Sequence, residues 1–473
     1  MNKDPYHEEH DDIRELLRKF ENLKAGRAQG FLYEDAFERI VDHFDEQDDI
    51  VHAMEAVDIG LEQYPYSSSL IIKKADLLIA SRKYREALEY LDRAAAFDNT
   101  DIDIYILRTD AYLALDEQEK AVELLEEAIG FFEGEERINL LFELSDVYDD
   151  YEEFDKIFDC LKLILEYEPN NEEALYKICF WTDFTGRNEE SIRIHQAIID
   201  EYPYNELAWF NLAAAYQSLK LYEKSIDAYK YAIVINEKFD FAYRNMADAF
   251  IRIRRYRDAI EALQKVVELA RPEDVIYEAI GHCYDKISYY AMARLYYRKA
   301  SHLNQDDAKL YYNIALTYMN EQSWGKAVKY LETALKISRL NRDFNLAMGD
   351  CQKHLGNIEE AIRHYRVIVD VKPKAISGWE ALIRCLYEAG YMEEAEAYIS
   401  QAFQYLGKKP VLAYYRSAVY FAMGQTKEGL LQLQGALAES PALVRKFISL
   451  DPAHLQVPAV AELLAQSRRM RKP

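Results

Sequence analysis

A 34-residue period runs through most of this 473-residue chain and constrains its fold more than any other feature. Trp209, Leu212, Ala213, Tyr216, Tyr222, Ser225, Tyr229 and Ala232 return one period later as Tyr243, Met246, Ala247, Phe250, Tyr256, Ala259, Leu263 and Val266. Another step gives Tyr277, Ile280, Gly281, Tyr284, Tyr290, Ala293, Tyr297 and Ala300, and the next gives Tyr311, Ile314, Ala315, Tyr318, Trp324, Ala327, Leu331 and Ala334. A period of this length means one supersecondary unit that cannot bury its apolar face alone and stacks on copies of itself.

The register extends in both directions. Units fall at 34–67, 68–101, 102–135, 138–171, 172–205, 206–239, 240–273, 274–307, 308–341, 342–375, 376–409 and 410–443, with residues 136–137 as the one insertion. Position 20 reads Ala53, Ala87, Ala121, Ile157, Ser191, Ser225, Ala259, Ala293, Ala327, Ala361, Ala395 and Gly429. Mostly small residues there let two helices approach to about 8–10 Å between axes. Aromatics at positions 4, 11, 17 and 24 fill the space between helices. Pro65, Pro169, Pro203, Pro373 and Pro441 share position 32, where proline ends the second helix. Only 16 Gly and 11 Pro in the whole chain agree with helices joined by short turns.

These residues resemble the tetratricopeptide pattern W-x2-L-G-x2-Y, then A-x3-F-x2-A, then P. The resemblance implies an all-α fold, an α-solenoid of about twelve helix-turn-helix units wound as a right-handed superhelix. It also resembles bacterial proteins of this type. Ile157 and Ile164, and Asn345 and Gln352 at aromatic positions, depart from the pattern, and those two units are expected to be locally looser or differently packed. Solenoid ends need covering. In residues 1–33, Ile13, Leu16, Leu17, Phe20 and Leu23 form an i, i+3, i+4, i+7 stripe behind an acidic tail, which predicts a capping helix before a loop at Gly26 and Gly30. Residues 444–473 predict short closing helices divided by Pro452 and Pro458, and then the basic stretch Arg468-Arg469-Met470-Arg471-Lys472, a docking segment if it meets an acidic surface.

Net charge is −25, carried unevenly: residues 1–170 hold −27 and residues 171–473 hold +2. An acidic first third disfavours nucleic acid and anionic membrane and favours a basic partner. No apolar run reaches the ~18–20 residues of a membrane span, and the first residues carry no secretory signal, so the expected location is the cytoplasm. His7, Glu8, Glu9, His10, Asp11 and Asp12 do not form a zinc motif. The five cysteines, Cys160, Cys179, Cys283, Cys351 and Cys385, read as reduced, largely buried hydrophobes. No nucleophile elbow, phosphate loop or dinucleotide fingerprint is present, so neither an enzyme activity, a metal nor a cofactor is expected.

In the family, the first helix of each unit lines a concave groove through positions 2, 5, 6, 9, 12 and 13. Carried over, this implies three candidate zones. Asp42, Asp76, Asp110 and Asp146 share position 9 and suit a basic ligand, with Asp35, Asp45, Asp103, Asp149 and Asp150 nearby; pairing with local lysines is the alternative, and Lys73 and Lys74 could serve only one unit. Tyr176, Phe180 and Phe184 lie at i, i+4 and i+8, with Phe210 in the next unit, as aromatic anchors. Trp181 of the same helix is expected in the core. Asn211, Asn245 and Asn313 share position 6 and resemble part of the asparagine spine in the repeat domain of O-linked N-acetylglucosamine transferase, which holds an extended peptide by its backbone. The Lys/Asn pattern of a chaperone carboxylate clamp is not supplied by any three consecutive units. The expected function is a protein- or peptide-binding scaffold or adaptor. A self-associating structural protein and a regulatory or targeting subunit of an enzyme complex are the alternatives.

Overall fold

The computed structural model describes residues 5–25, 31–271 and 273–469, with the side chains of residues 5–12 and 468–469 excluded. The side chains of His7 to Asp12, the Gly26 and Gly30 loop and the greater part of the basic stretch therefore lie outside the described residues. The described chain is helical with no strand, and it forms two compact units, residues 1–237 and 238–473.

Unit 1 contains α1 (Pro5–Lys24), α2 (Glu34–Asp45), α3 (Ile50–Gln63), α4 (Ser68–Ala80), α5 (Tyr84–Phe97), α6 (Ile102–Ala114) and α7 (Gln118–Phe131). It continues with α8 (Gly134–Asp150), α9 (Phe154–Tyr167), α10 (Glu172–Thr185), α11 (Asn188–Glu201), α12 (Glu206–Ser218) and α13 (Tyr222–Ile235). From α2 onward these are antiparallel hairpins, each pair one sequence period. Unit 2 repeats the arrangement from Asp240–Arg252 through Thr426–Glu439 and closes with the short helices Val444–Leu450 and Pro458–Arg469.

Three local devices make each hairpin. The residue before the first helix often caps it: Ser67 Oγ accepts from the Leu70 N–H at 3.1 Å, Asn171 Oδ1 from Ala174 at 2.9 Å, and Asn205 Oδ1 from Ala208 at 2.8 Å. Between the helices, position 15 takes a left-handed backbone in all twelve repeats. It is glycine at Gly186, Gly356, Gly390 and Gly424 but Asp48, Arg82, Asp116, Glu152, Lys220, Arg254, Ser288 and Gln322 elsewhere, with φ between 56° and 63°. The next N–H then reaches back five residues, as Lys83 to the Leu78 carbonyl at 2.8 Å and Tyr289 to Tyr284 at 2.9 Å, which satisfies a helix-end carbonyl. Finally, every residue at position 20 is buried, Ile157 included.

The small residues face large ones. A methyl group on Gly349 would sit 2.4 Å from the Tyr365 ring, and one on Gly281 would sit 2.8 Å from Tyr297. Where Ala75, Ala247 and Ala315 replace these glycines, the opposed residues are Leu91, Leu263 and Leu331, which keeps the summed volume nearly constant; Ala213 opposite Tyr229 departs from this pairing. The two inserted residues, with Gly134 and Glu135 before them, lengthen α8, which has 17 residues against 13 in α6. Of the looser or different packing expected near Asn345, the structure has the different packing. Asn345 is buried, donates to the Arg339 and Asn341 carbonyls at 2.9 Å each, and pairs with His364 Nδ1 at 2.9 Å. A hydrogen-bonded amide replaces the aromatic ring without leaving a polar group stranded.

Both ends are covered. Phe20 of α1 is fully buried against Phe37 of α2, edge to face with ring centres 6.5 Å apart, and Leu16, Leu17 and Leu23 pack beside it. At the other end, Phe447 stacks on His454 at 5.0 Å, the His454 ring meets the Tyr387 hydroxyl at 3.0 Å, and Val460 and Leu464 join the same core. Among the described residues no helix is long and apolar enough to cross a membrane, and no group of three or more His, Cys, Asp or Glu side chains stands ready to hold a metal ion. All five cysteines are free, and burial pushes their thiol pKa up, to about 11 for Cys179 and Cys385 and about 12 for Cys160, Cys283 and Cys351.

Candidate binding surface

The first helices of unit 1 bring carboxylates from successive hairpins close enough to couple across helices. Asp76 of α4, exposed at the surface, is raised from its ordinary value by partial desolvation of its carboxyl, then by Asp45 of α2 and Asp103 of α6, with Lys73 opposing the rise. Asp110 of α6 is raised by burial and by Asp76. Asp146 of α8 is raised by burial, and of its charged neighbours Lys177 opposes the rise while Asp149, Asp150 and Glu173 add to it.

The strongest member of this series is one that the position-9 pattern does not contain. Glu143 of α8, half-buried between Asp110 and Asp146, is pushed up to about 7, first by burial and then by those two charges. It occupies position 6, where the neighbouring units carry Leu107 and Lys177, so no repeating pattern announces it. Its signal would have been proximity alone: a glutamate three residues before Asp146 shares its helical face.

The four aspartates are not equivalent. Asp42 is ion-paired with Lys73 of the next hairpin, and Lys74 goes instead to Asp58 on α3. Asp146 has Lys177 at 3.8 Å, while Lys177 lies closer to Glu173 at 2.9 Å. Asp76 and Asp110 have no ion pair among the described residues. Lys73 also acts on Asp76 and Asp103 against their rise, so the part of the face on which no cation acts is Asp110 and Glu143.

The aromatic zone begins on α10, one hairpin on. Tyr176, Phe180 and Phe184 are 75%, 61% and 57% exposed. Phe180 and Phe184 stack at 6.0 Å, and Phe184 meets Phe154 of α9 edge-on at 4.7 Å. Trp181 is half-buried rather than enclosed; it stacks on Phe154 at 5.4 Å and touches Phe180 at 5.0 Å, so it forms the floor of the exposed cluster. Phe210 is half-buried against Tyr229, with ring centres 5.6 Å apart.

The three asparagines are not equivalent. Asn211 points inward: it is 3% exposed, donates through Nδ2 to the Leu175 carbonyl at 2.7 Å, and lies 3.2 Å from His195 Nε2. His195 is itself fully buried, with Nδ1 2.7 Å from the Ser191 carbonyl, and burial lowers its pKa to about 4. The Asn211 amide is thus spent on ties between hairpins and has no hydrogen left for a peptide. Asn245 and Asn313 are half-buried in unit 2, and Asn313 Nδ2 lies 3.4 Å from Glu278 Oε1.

A tetratricopeptide repeat family model matches residues 207–239, 275–307 and 308–339. A search of curated proteins gives no match. Among solved structures, the chain is similar to YrrB, described as a TPR protein with an unusual peptide-binding site, at 17% identity over 39% of this chain and 95% of that one, TM-score 0.35. It is similar to MamA at 21% identity over 34% and 95%, TM-score 0.33, and to the C-terminal part of a TPR repeat-containing protein from Cytophaga hutchinsonii at 14% identity over 54% and 99%, TM-score 0.44. The three matched stretches fall in the same register as the hairpins, the left-handed turns and the buried position-20 residues, and the chain is a tetratricopeptide repeat protein.

Proposed function

We propose that the carboxylate and aromatic face of unit 1 captures segments of other proteins in which Lys or Arg residues flank apolar anchors, so that the chain serves as an adaptor or scaffold. The observation that carries this reading is Glu143 held between Asp110 and Asp146. Like charges so placed raise the free energy of the empty face, and a cationic ligand relieves it. The exposed rings of Tyr176, Phe180 and Phe184 supply the anchoring contacts that charge alone does not, because aromatic side chains offer large, rigid contact area. The same carboxylates repel phosphate backbones and so argue against nucleic acid.

The test uses two labelled 15-residue peptides of equal apolar content, one bearing lysines and the other glutamates. Each is titrated by fluorescence anisotropy into the full chain and into an Asp76→Asn, Asp110→Asn, Glu143→Gln, Asp146→Asn variant. Binding of the basic peptide alone, weakened in the variant and at about 0.5 M salt, supports the proposal. Equal binding of both peptides, or no effect of the four substitutions, refutes it.

A further inference from the structure

The chain carries two basic stretches. The first, Arg252, Arg254, Arg255 and Arg257, surrounds a turn in unit 2, and two of its guanidiniums are already engaged: Arg252 with Asp248 at 3.3 Å and Arg255 with Asp258 at 3.0 Å. The second, Arg468-Arg469-Met470-Arg471-Lys472, places four cations around one methionine. Its first two residues end the last helix, Pro458–Arg469, whose anchors Val460 and Leu464 sit in the core of unit 2.

The chemistry of this second stretch matches the unit 1 face group by group. Carboxylates at Asp110, Glu143, Asp146, Asp149 and Asp150 meet the cations. The Phe180 and Phe184 rings, more than half exposed, offer faces for a guanidinium and edges for a thioether. Arginine suits the site better than lysine because its flat guanidinium stacks on a ring while still donating to a carboxylate. A purely basic run would use only the acidic half of the face, whereas a methionine between arginines uses both halves.

We propose that the Arg468–Lys472 segment of a second copy of the chain occupies the carboxylate and aromatic face of unit 1, producing head-to-tail association. The inference rests on the function proposed above and names the partner. Because the two complementary surfaces are different parts of one chain, their contact is heterologous and can propagate from copy to copy.

The receptor for the test is the full chain with Arg468, Arg469, Arg471 and Lys472 all changed to Ser, which frees the face of any segment of its own. A labelled peptide spanning Ala465–Pro473 is titrated into it, and the wild type and this variant are compared by sedimentation velocity over a hundredfold concentration range. The expected result is saturable peptide binding that falls about tenfold or more on Phe180→Ala or Phe184→Ala. The wild type is expected to gain mass with concentration while the Ser variant does not.

Three results overturn the proposal, and they are distinguishable. If the Ala465–Pro473 peptide fails while the lysine-bearing peptide of the preceding test binds, the partner is another protein and the proposed function stands. If neither binds, both readings fall. If the Ala465–Pro473 peptide binds but the wild type keeps one mass throughout, no second copy is the occupant; weaker peptide binding by the wild type than by the Ser variant would then show the segment occupying the face of its own molecule.

Discussion

Changing Glu143 to Gln should make the protein more stable, and only above a defined pH. The Glu143 carboxyl has a pKa of about 7 in the folded chain against an ordinary 4.5, so the folded state holds this proton more tightly than the unfolded state. Below pH 4.5 the group is protonated in both states and contributes nothing. As pH rises through 7, the folded chain must carry a charge that burial, Asp110 and Asp146 all disfavour, and the cost is complete above about pH 8. Taken at face value the displacement corresponds to about 3 kcal/mol, and water reaching a half-buried side chain reduces this to roughly 1–2 kcal/mol. Glutamine keeps the shape and removes the charge. Urea unfolding followed by far-UV circular dichroism should therefore show Glu143→Gln more stable by about 1–2 kcal/mol at pH 8 and within about 0.5 kcal/mol of wild type near pH 4.5. The binding consequence has the opposite sign: the variant should hold a basic peptide more weakly at pH 8, and its affinity should lose the rise between pH 6 and 8 that the wild type shows. An equal stability gain at both pH values, or a loss at pH 8, would refute the electrostatic account of this face.

The remaining predictions concern packing, turns and anchors. His195 is held neutral with a pKa lowered to about 4, so its contribution is present above pH 6.5 and lost as pH falls toward 4, by about 3 kcal/mol in all; His195→Leu should flatten that acid loss in urea titrations while costing about 1 kcal/mol at pH 8, because Asn211 loses a partner. Gly349→Ala should destabilise by about 1–3 kcal/mol through collision with Tyr365, and adding Tyr365→Leu, the pairing present at Ala315 and Leu331, should recover much of it as a positive coupling in a double-mutant cycle. Lys220→Gly, at φ 62°, should raise the unfolding midpoint by the equivalent of about 0.5–1 kcal/mol, and Gly186→Ala should lower it. Phe180→Ser and Phe184→Ser should leave stability within about 0.5 kcal/mol of wild type while reducing basic-peptide binding about tenfold by anisotropy.

The repeat was legible in the sequence because it is written in volume: small residues at position 20, aromatics opposite, and proline after the second helix. Such patterns survive even where the residue changes, as Ile157 shows, since burial at that position is fixed by the hairpin rather than by the side chain. The covering helices were legible for the same reason, as apolar stripes with no repeat to serve. The candidate surface was legible only in outline. Counting aspartates at one position could not show that Asp42 is neutralised by Lys73 from the following hairpin, nor that Glu143 stands between two of the others. Asn211 misled because its amide is claimed by His195, sixteen positions away in the preceding unit. Sixteen positions before Asn245 and Asn313 the chain holds Tyr229 and Tyr297, so the histidine has no counterpart there. Hydrogen bonding between neighbouring helices is not periodic even when their backbones are.

The two covered ends set a limit on what the molecule can become. A stack of hairpins offers, at each open end, the same apolar seam that joins its interior members, and one bare end laid against another would be as good a fit as any internal joint. Phe20 fills that seam at the start, and Phe447 with His454 fills it at the finish. In polymer terms the first end of unit 1 and the last end of unit 2 are each terminated, so neither can add a hairpin from another copy. Loss of either plug would leave a reactive end whose growth has no built-in stop.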